Sequence, residues 1–218
     1  MQKNVKTITA KERMLKKIRH ALLQKRENPY PNFEDQTLYP EEQDPLDVLF
    51  AQRFTAVAGK FVYCEDDVSF IENLLSLAEK EKLRKMYAWE PSIQRCLEQY
   101  GFPFFSTDQD FRDADAGITG CEALIARSGS ILVSSGTNAG RRLTVYPHIH
   151  IVLAYTSQLV LDIKDALQAV QARYGEALPS MVSVITGPSR TADIEKTLVL
   201  GAHGPKDVYV FLVEDRQV

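Results

Sequence analysis

MVSVITGPSRTADIEKTLVLGAHGPKDVYVFLV, residues 181–213, carries the alternation that decides the fold. It reads as strand, Gly-Pro loop, helix, Gly-Pro loop, strand. MVSVIT is a short β-branched run closed by Gly187-Pro188, a pair that ends regular structure. TADIEKTLVL, 191–200, then predicts a helix running to Gly201. Ser189 and Thr191 are its N-cap candidates, and Asp193 and Glu195 fall in a first turn where carboxylates suit the positive end of the dipole. DVYVFLV, 207–213, is almost continuously apolar, which fits a strand buried on both faces of a parallel sheet. Ligands of such sheets bind beyond the carboxyl ends of the strands, so the GPSR loop is the first place to look for a site.

The alternation extends towards the N-terminus. KFVYC (60–64) and MYAW (86–89) are strand patterns. LDVLFAQRFTAVAG (46–59), the amphipathic run from Asp66 or Asp67 to Lys82, and PSIQRCLEQYG (91–101) are helical patterns, the last with Pro91 at its first position and Gly101 beyond its end. Between 114 and 156, ADAGIT, EALIA, SILVSS and HIHIVLAY are strands in quick succession. A Ser128-Gly129 link there suits a hairpin that adds antiparallel strands. DIKDALQAVQARYG (162–175) predicts a further helix. The expected architecture is a three-layer α/β/α domain over 45–218 with a mixed, mainly parallel sheet. Residues 1–44 precede it as a helix, opened by a Thr9–Glu12 capping box, and a Pro-rich linker centred on 27–45. Met14, Ile18, Ala21 and Leu22 make one apolar stripe on that helix, fit to pack on the body or to dock on a partner subunit.

At 218 residues the chain is long enough for one sizeable core. A net charge of −3 argues against a general nucleic-acid binder, and no apolar run reaches the ~20 residues of a membrane span. The first residues lack the apolar core of a secretory signal, so a cytoplasmic protein is expected. Cys64, Cys96 and Cys121 are far apart and form no CxxC pair, so they read as small core residues rather than cluster or zinc ligands.

GITGCEALIARSGSILVSSG (117–136), GRRLTVYPHIHIV (140–152), the D-x-x-D-A-L opening at Asp162 and ITGPSRTADIEKTLVLGAHGP (185–205) follow the wording, order and spacing of the LUD domain family, which the second half of the chain resembles. The resemblance implies a fold similar to the superfamily of ribose-5-phosphate isomerase and the CoA transferases. It also implies a place in a cytoplasmic multi-protein system that oxidises L-lactate to pyruvate beside iron–sulfur protein subunits, this chain carrying no redox cofactor. Whether the chain is itself catalytic stays open, because that fold hosts several chemistries. The rival reading is a small-molecule enzyme or binding domain for an anionic, phosphorylated or carboxylated metabolite. A homo-oligomer is compatible with the sequence.

Candidate ligand contacts follow from residue type. Arg141, in the Gly-rich segment 136–147 and the family-like wording, offers a guanidinium fork beside exposed backbone N–H groups, a combination that clamps anions. His148 and His150 share a face of a regular strand, and His203 approaches them if its loop lies on the same sheet edge. The set reads better as separate structural imidazoles than as a metal site. Ser189 and Arg190 stand at the predicted helix start, where N–H groups favour an anion, with Asp193 structural. Thr119 and Asp115 lie near a strand end. A CoA-transfer mechanism needs a nucleophilic glutamate. Where relatives carry a carboxylate in the 122–131 region this chain has Arg127, and Glu122 reads as a turn or surface residue.

Overall fold

The computed structural model describes residues 9–23, 39–137, 139–194, 197–201 and 203–215, and for 192–200 the backbone alone. It divides into two units, 1–43 and 44–218. In the first, α1 (Ala10–Leu23) opens with the expected capping box: the Thr9 N–H donates to Glu12 Oε2 at 2.8 Å and the Glu12 N–H to Thr9 Oγ1 at 3.3 Å. None of its side chains is buried. Residues 27–38 of the predicted linker lie outside the described residues, as do 24–26 at the end of the predicted helix.

The second unit is built on five parallel strands: β1 (Lys60–Cys64), β2 (Met86–Ala88), β3 (Ala116–Thr119), β6 (Ile149–Tyr155) and β11 (Asp207–Val213). Their order is β1-β11-β6-β3-β2. β11 is an interior strand, paired to β1 and to β6. That position buries both of its faces and accounts for its unbroken apolar run. Tyr209, Phe211 and Val213 point one way with Ile151 and Leu153 of β6, and α3 (Asp67–Glu81) and α4 (Pro91–Gln99) cover them through Phe70, Leu74, Ile93 and Leu97. Val208, Val210 and Leu212 point the other way. They meet Leu49, Phe50 and Phe54 of α2 (Leu46–Ala56) and Leu124, Ile131 and Val133 of a smaller sheet. The result is a three-layer α/β/α arrangement around a parallel sheet.

The antiparallel hairpin expected between 114 and 156 does not extend the parallel sheet but belongs to a second, four-stranded one. It contains β4 (Ala123–Ile125), β5 (Ser130–Ser134), β7 (Leu159–Val160) and β8 (Val182–Ile185), in the order β7-β4-β5-β8. Its outer face packs on Ala166 and Val170 of α6 (Ile163–Tyr174). The β4–β5 hairpin turns through Ala126–Gly129 with Gly129 at φ 58°, so Ser128-Gly129 is half of a four-residue link.

One expectation fails outright. TADIEKTLVL is not a helix but an antiparallel hairpin of β9 (Arg190–Ile194) and β10 (Thr197–Leu200), with a register shift between Thr197 and Val199. A ten-residue segment is below the length at which helix propensity holds by itself, and Thr191, Ile194, Thr197 and Val199 are β-branched. Among the described residues no helix is long and apolar enough to cross a membrane.

Candidate functional site

The connections out of β2 and β3 leave on opposite faces of the central sheet. After β2 the chain turns into α4 on one face. After β3 it passes through Gly120–Glu122 into β4 on the other. Where neighbouring parallel strands diverge in this way a crevice opens beyond their carboxyl ends. A cavity of about 280 Å³ lies there, and Glu90, Ser92, Thr137, Gln158, Arg173 and Tyr174 are among its lining residues.

Glu90 stands between β2 and the first turn of α4, only 4% exposed. The Gly120 N–H donates to its Oε1 at 2.7 Å. Burial raises its pKa to about 7. The Gly120 N–H and the Thr137 hydroxyl pull it down, and the Glu122 charge pushes it up. A carboxyl group that exchanges its proton near neutrality, facing a cavity, is equipped for acid–base work.

Glu122, taken from the sequence for a turn or surface residue, is instead sealed in, with a side chain 1% exposed. Its Oε1 accepts from Ser134 Oγ at 2.5 Å and from the Tyr174 hydroxyl at 2.7 Å, and its Oε2 pairs with Arg173 Nη1 at 2.7 Å. Gly136 makes room for this arrangement, since a Cβ there would stand 2.5 Å from the Tyr174 oxygen. The Arg173 side chain is 54% exposed and spends one guanidinium nitrogen on Glu122. Arg173 is also one of the residues lining the cavity. Burial pushes the Cys121 thiol far up, beyond use as a thiolate nucleophile.

Thr119 and His150 support this crevice from beneath. The Thr119 hydroxyl donates to the Gly120 carbonyl at 3.0 Å and lies 2.8 Å from His150 Nε2. One hydroxyl carries one proton, so His150 is the donor to Thr119 and its bare Nδ1 is left without a partner. A neutral imidazole suits the position, because complete burial lowers the His150 pKa to about 4. The chain His150–Thr119–Gly120–Glu90 thus fixes the loop that holds the Glu90 carboxyl.

The other sequence candidates lie elsewhere. His148 is exposed just ahead of β6 and His203 is exposed just ahead of β11, at the amino edge of the sheet, while His150 is buried inside it. The His148 carbonyl accepts from the Lys206 N–H at 2.8 Å, so the connections leading into β6 and β11 meet at that edge. Among the described residues no three His, Cys, Asp or Glu side chains converge on a metal position. Ser189 is tied by its backbone to Pro205 and Gly201, and Arg190 Nη2 donates to the Val57 carbonyl at 2.6 Å. With a hairpin in place of the helix, Ser189 and Arg190 stand at no helix N-terminus that would favour an anion. The side chain of Asp193 and the whole of Glu195 lie outside the described residues. Arg141 Nη2 donates to Ser180 Oγ at 2.8 Å on the surface. Asp115 accepts from the Arg84 and Lys85 N–H groups at 2.8 Å each, anchoring the loop before β2. Arg127 pairs with Asp162, Nε to Oδ1 at 2.6 Å, at the start of α6.

The LUD domain model matches residues 104–213, half of the chain. The chain belongs to the LUD domain family. Its relatives include lactate utilization protein C of Halalkalibacterium halodurans, 39% identical over 105 residues covering 47% of this chain and 46% of that protein. Lactate utilization protein C of Bacillus velezensis is 28% identical over 172 residues, covering 74% and 71%. The match thus spans about half the length of the more similar curated relatives. A crystal structure of a DUF162 family protein from Deinococcus radiodurans superposes with a TM-score of 0.57 at 20% identity, over 80% of this chain and 99% of that one, a likeness of fold. Within the LUD segment lie Gly120, Glu122, Arg173 and Tyr174, whereas Glu90 precedes it. Sequence reasoning missed Glu90, Arg173 and Tyr174. The available signal was the strand-to-helix junction MYAWEP, whose acidic residue directly follows a buried strand.

Proposed function

We propose that this LUD-domain chain acts in lactate utilisation, as a cytoplasmic component of a multi-protein system that oxidises L-lactate to pyruvate beside iron–sulfur protein subunits. The carrying observation is its membership of the family together with relatives named lactate utilization protein C. Three cysteines that form no cluster-binding pattern fit a division of labour in which partners carry the electrons. The test is genetic and biochemical together. Deleting the gene should abolish growth on L-lactate as carbon source, and the tagged chain should copurify with iron–sulfur subunits. Unimpaired growth with no associated partner would defeat the reading.

A second reading, a binding domain for an anionic metabolite, is favoured by the β2–β3 crevice. A half-exposed arginine there faces a cavity beside a buried glutamate. On this reading the residues to test are Glu90 and Arg173, with Thr119 and His150 as their support.

A further inference from the structure

We infer that the crevice between the carboxyl ends of β2 and β3 binds a small monocarboxylate, held by the Arg173 guanidinium and by the carboxyl group of Glu90 acting as a hydrogen-bond donor. The choice of a carboxylate rests in part on the lactate-utilisation reading; the site itself rests on geometry.

Charge counting selects the ligand. The ionisable groups around Glu90 are Cys121 and Glu122 from the segment joining β3 to β4, Arg173 and Tyr174 from α6, and Tyr155 from the end of β6. Burial raises the pKa of Cys121, Tyr174 and Tyr155, so all three stay neutral near pH 7. Glu122 and Arg173 cancel as a pair at 2.7 Å. A monoanion then enters a neutral site only if Glu90 keeps its proton. An ionised Glu90, itself only 4% exposed, would be a second carboxylate repelling the first. A phosphate dianion would bring a charge that no second cation offsets. The volume of about 280 Å³ admits a metabolite of a few carbons. A second cavity, beyond the ends of β1 and β11, is lined by Asp66, Asp67, Glu214 and Asp215 and repels the same ligand.

Binding is therefore coupled to a proton. Glu90, partly ionised near neutrality, takes one up as the carboxylate arrives, so affinity is full below about pH 7 and falls about tenfold per pH unit above it. Ser92, Thr137 and Gln158 add polar atoms to the wall, although Gln158 already donates to the Cys121 carbonyl at 2.6 Å and accepts from the Tyr155 N–H at 2.8 Å.

Titration calorimetry of the full chain with L-lactate, pyruvate, acetate and inorganic phosphate tests this, at pH 6 and pH 8 in two buffers of different ionisation heat. The expected result is saturable binding of at least one monocarboxylate and weaker binding at pH 8, where the buffers report uptake of close to one proton. Glu90→Gln keeps a donor and should retain binding but lose both proton uptake and pH dependence. Arg173→Met is made together with Glu122→Gln, so that no buried carboxylate loses its cation; the double variant should bind at least tenfold more weakly than Glu122→Gln alone. Absence of binding by every monocarboxylate, binding at pH 8 without proton uptake, or a preference for phosphate would each overturn the inference. A bound carboxylate with normal growth of the deletion strain on L-lactate leaves the site standing and removes the lactate role. A growth defect without binding does the reverse.

Discussion

Glu90 and His150 are buried ionisable side chains joined through the Thr119-Gly120 peptide, and their burial acts on stability in opposite senses. Glu90 titrates at about 7 against an ordinary 4.5, so across that interval the native state holds more protons than the unfolded one and stability falls as pH rises. His150 titrates at about 4 against 6.5, so the unfolded state holds more protons and stability falls as pH drops through the interval. At 1.36 kcal/mol per pKa unit each effect comes to a few kcal/mol. In the parent chain the two slopes largely cancel between pH 4.5 and 6.5. Glu90→Gln should match the parent chain in urea unfolding at pH 4.5 and exceed it by roughly 1–3 kcal/mol at pH 8. His150→Gln carries a fixed packing loss, and its deficit should narrow as pH falls from 6.5 to 4. Variants that ran parallel to the parent chain at every pH would show that neither group titrates where burial puts it.

Two glycines show why the elements around α2 close as they do. Gly129, in the β4–β5 turn, and Gly187, in the loop after β8, have φ of 58° and 76°. A Cβ on the first would meet the backbone of Arg53 and Phe54, and on the second the Val57 carbonyl. Both turns therefore press on the C-terminal end of α2. Gly187→Ala should cost more than about 2 kcal/mol in urea unfolding, combining left-handed strain with the clash. A neutral variant would show that this loop yields freely. The Gly187-Pro188 break was readable in the sequence because backbone geometry marks it locally, as were the capped start of α3 at Asp66 and the doubly buried β11. The hairpin at 190–200 was not, since Asp193, Glu195 and Lys196 suit a helix surface as well as a strand and only its antiparallel pairing decides. Glu122 was misread for a related reason: its partners Ser134, Arg173 and Tyr174 come from β5 and α6, up to 52 residues away. Glu90 is marked in the sequence only by its place at the MYAWEP junction, because the environment that shifts its proton depends on Gly120, 30 residues on.

At the scale of the molecule, the apolar clusters of the core and the lining of the Glu90 crevice are supplied, among the described residues, by residues after Asp44. α1 buries none of its side chains, and Met14, Ile18 and Leu22 are 62%, 47% and 76% exposed. A helix of this kind contributes little apolar burial to folding, since stabilisation tracks the area removed from water. We therefore expect the chain from Asp44 to Val218 to fold alone, with a melting temperature within about 2 °C of the full chain, equivalent to roughly 0.5–1 kcal/mol at this size. It should also bind a monocarboxylate with unchanged affinity and pH dependence. Differential scanning calorimetry followed by the same titration checks both. If the shortened chain melted much earlier or aggregated, residues 1–43 would be part of the folding unit. If it folded but no longer bound, the N-terminal segment would contribute to the site. If it folded and bound but no longer copurified with iron–sulfur subunits, the exposed stripe on α1 would be the surface those partners use.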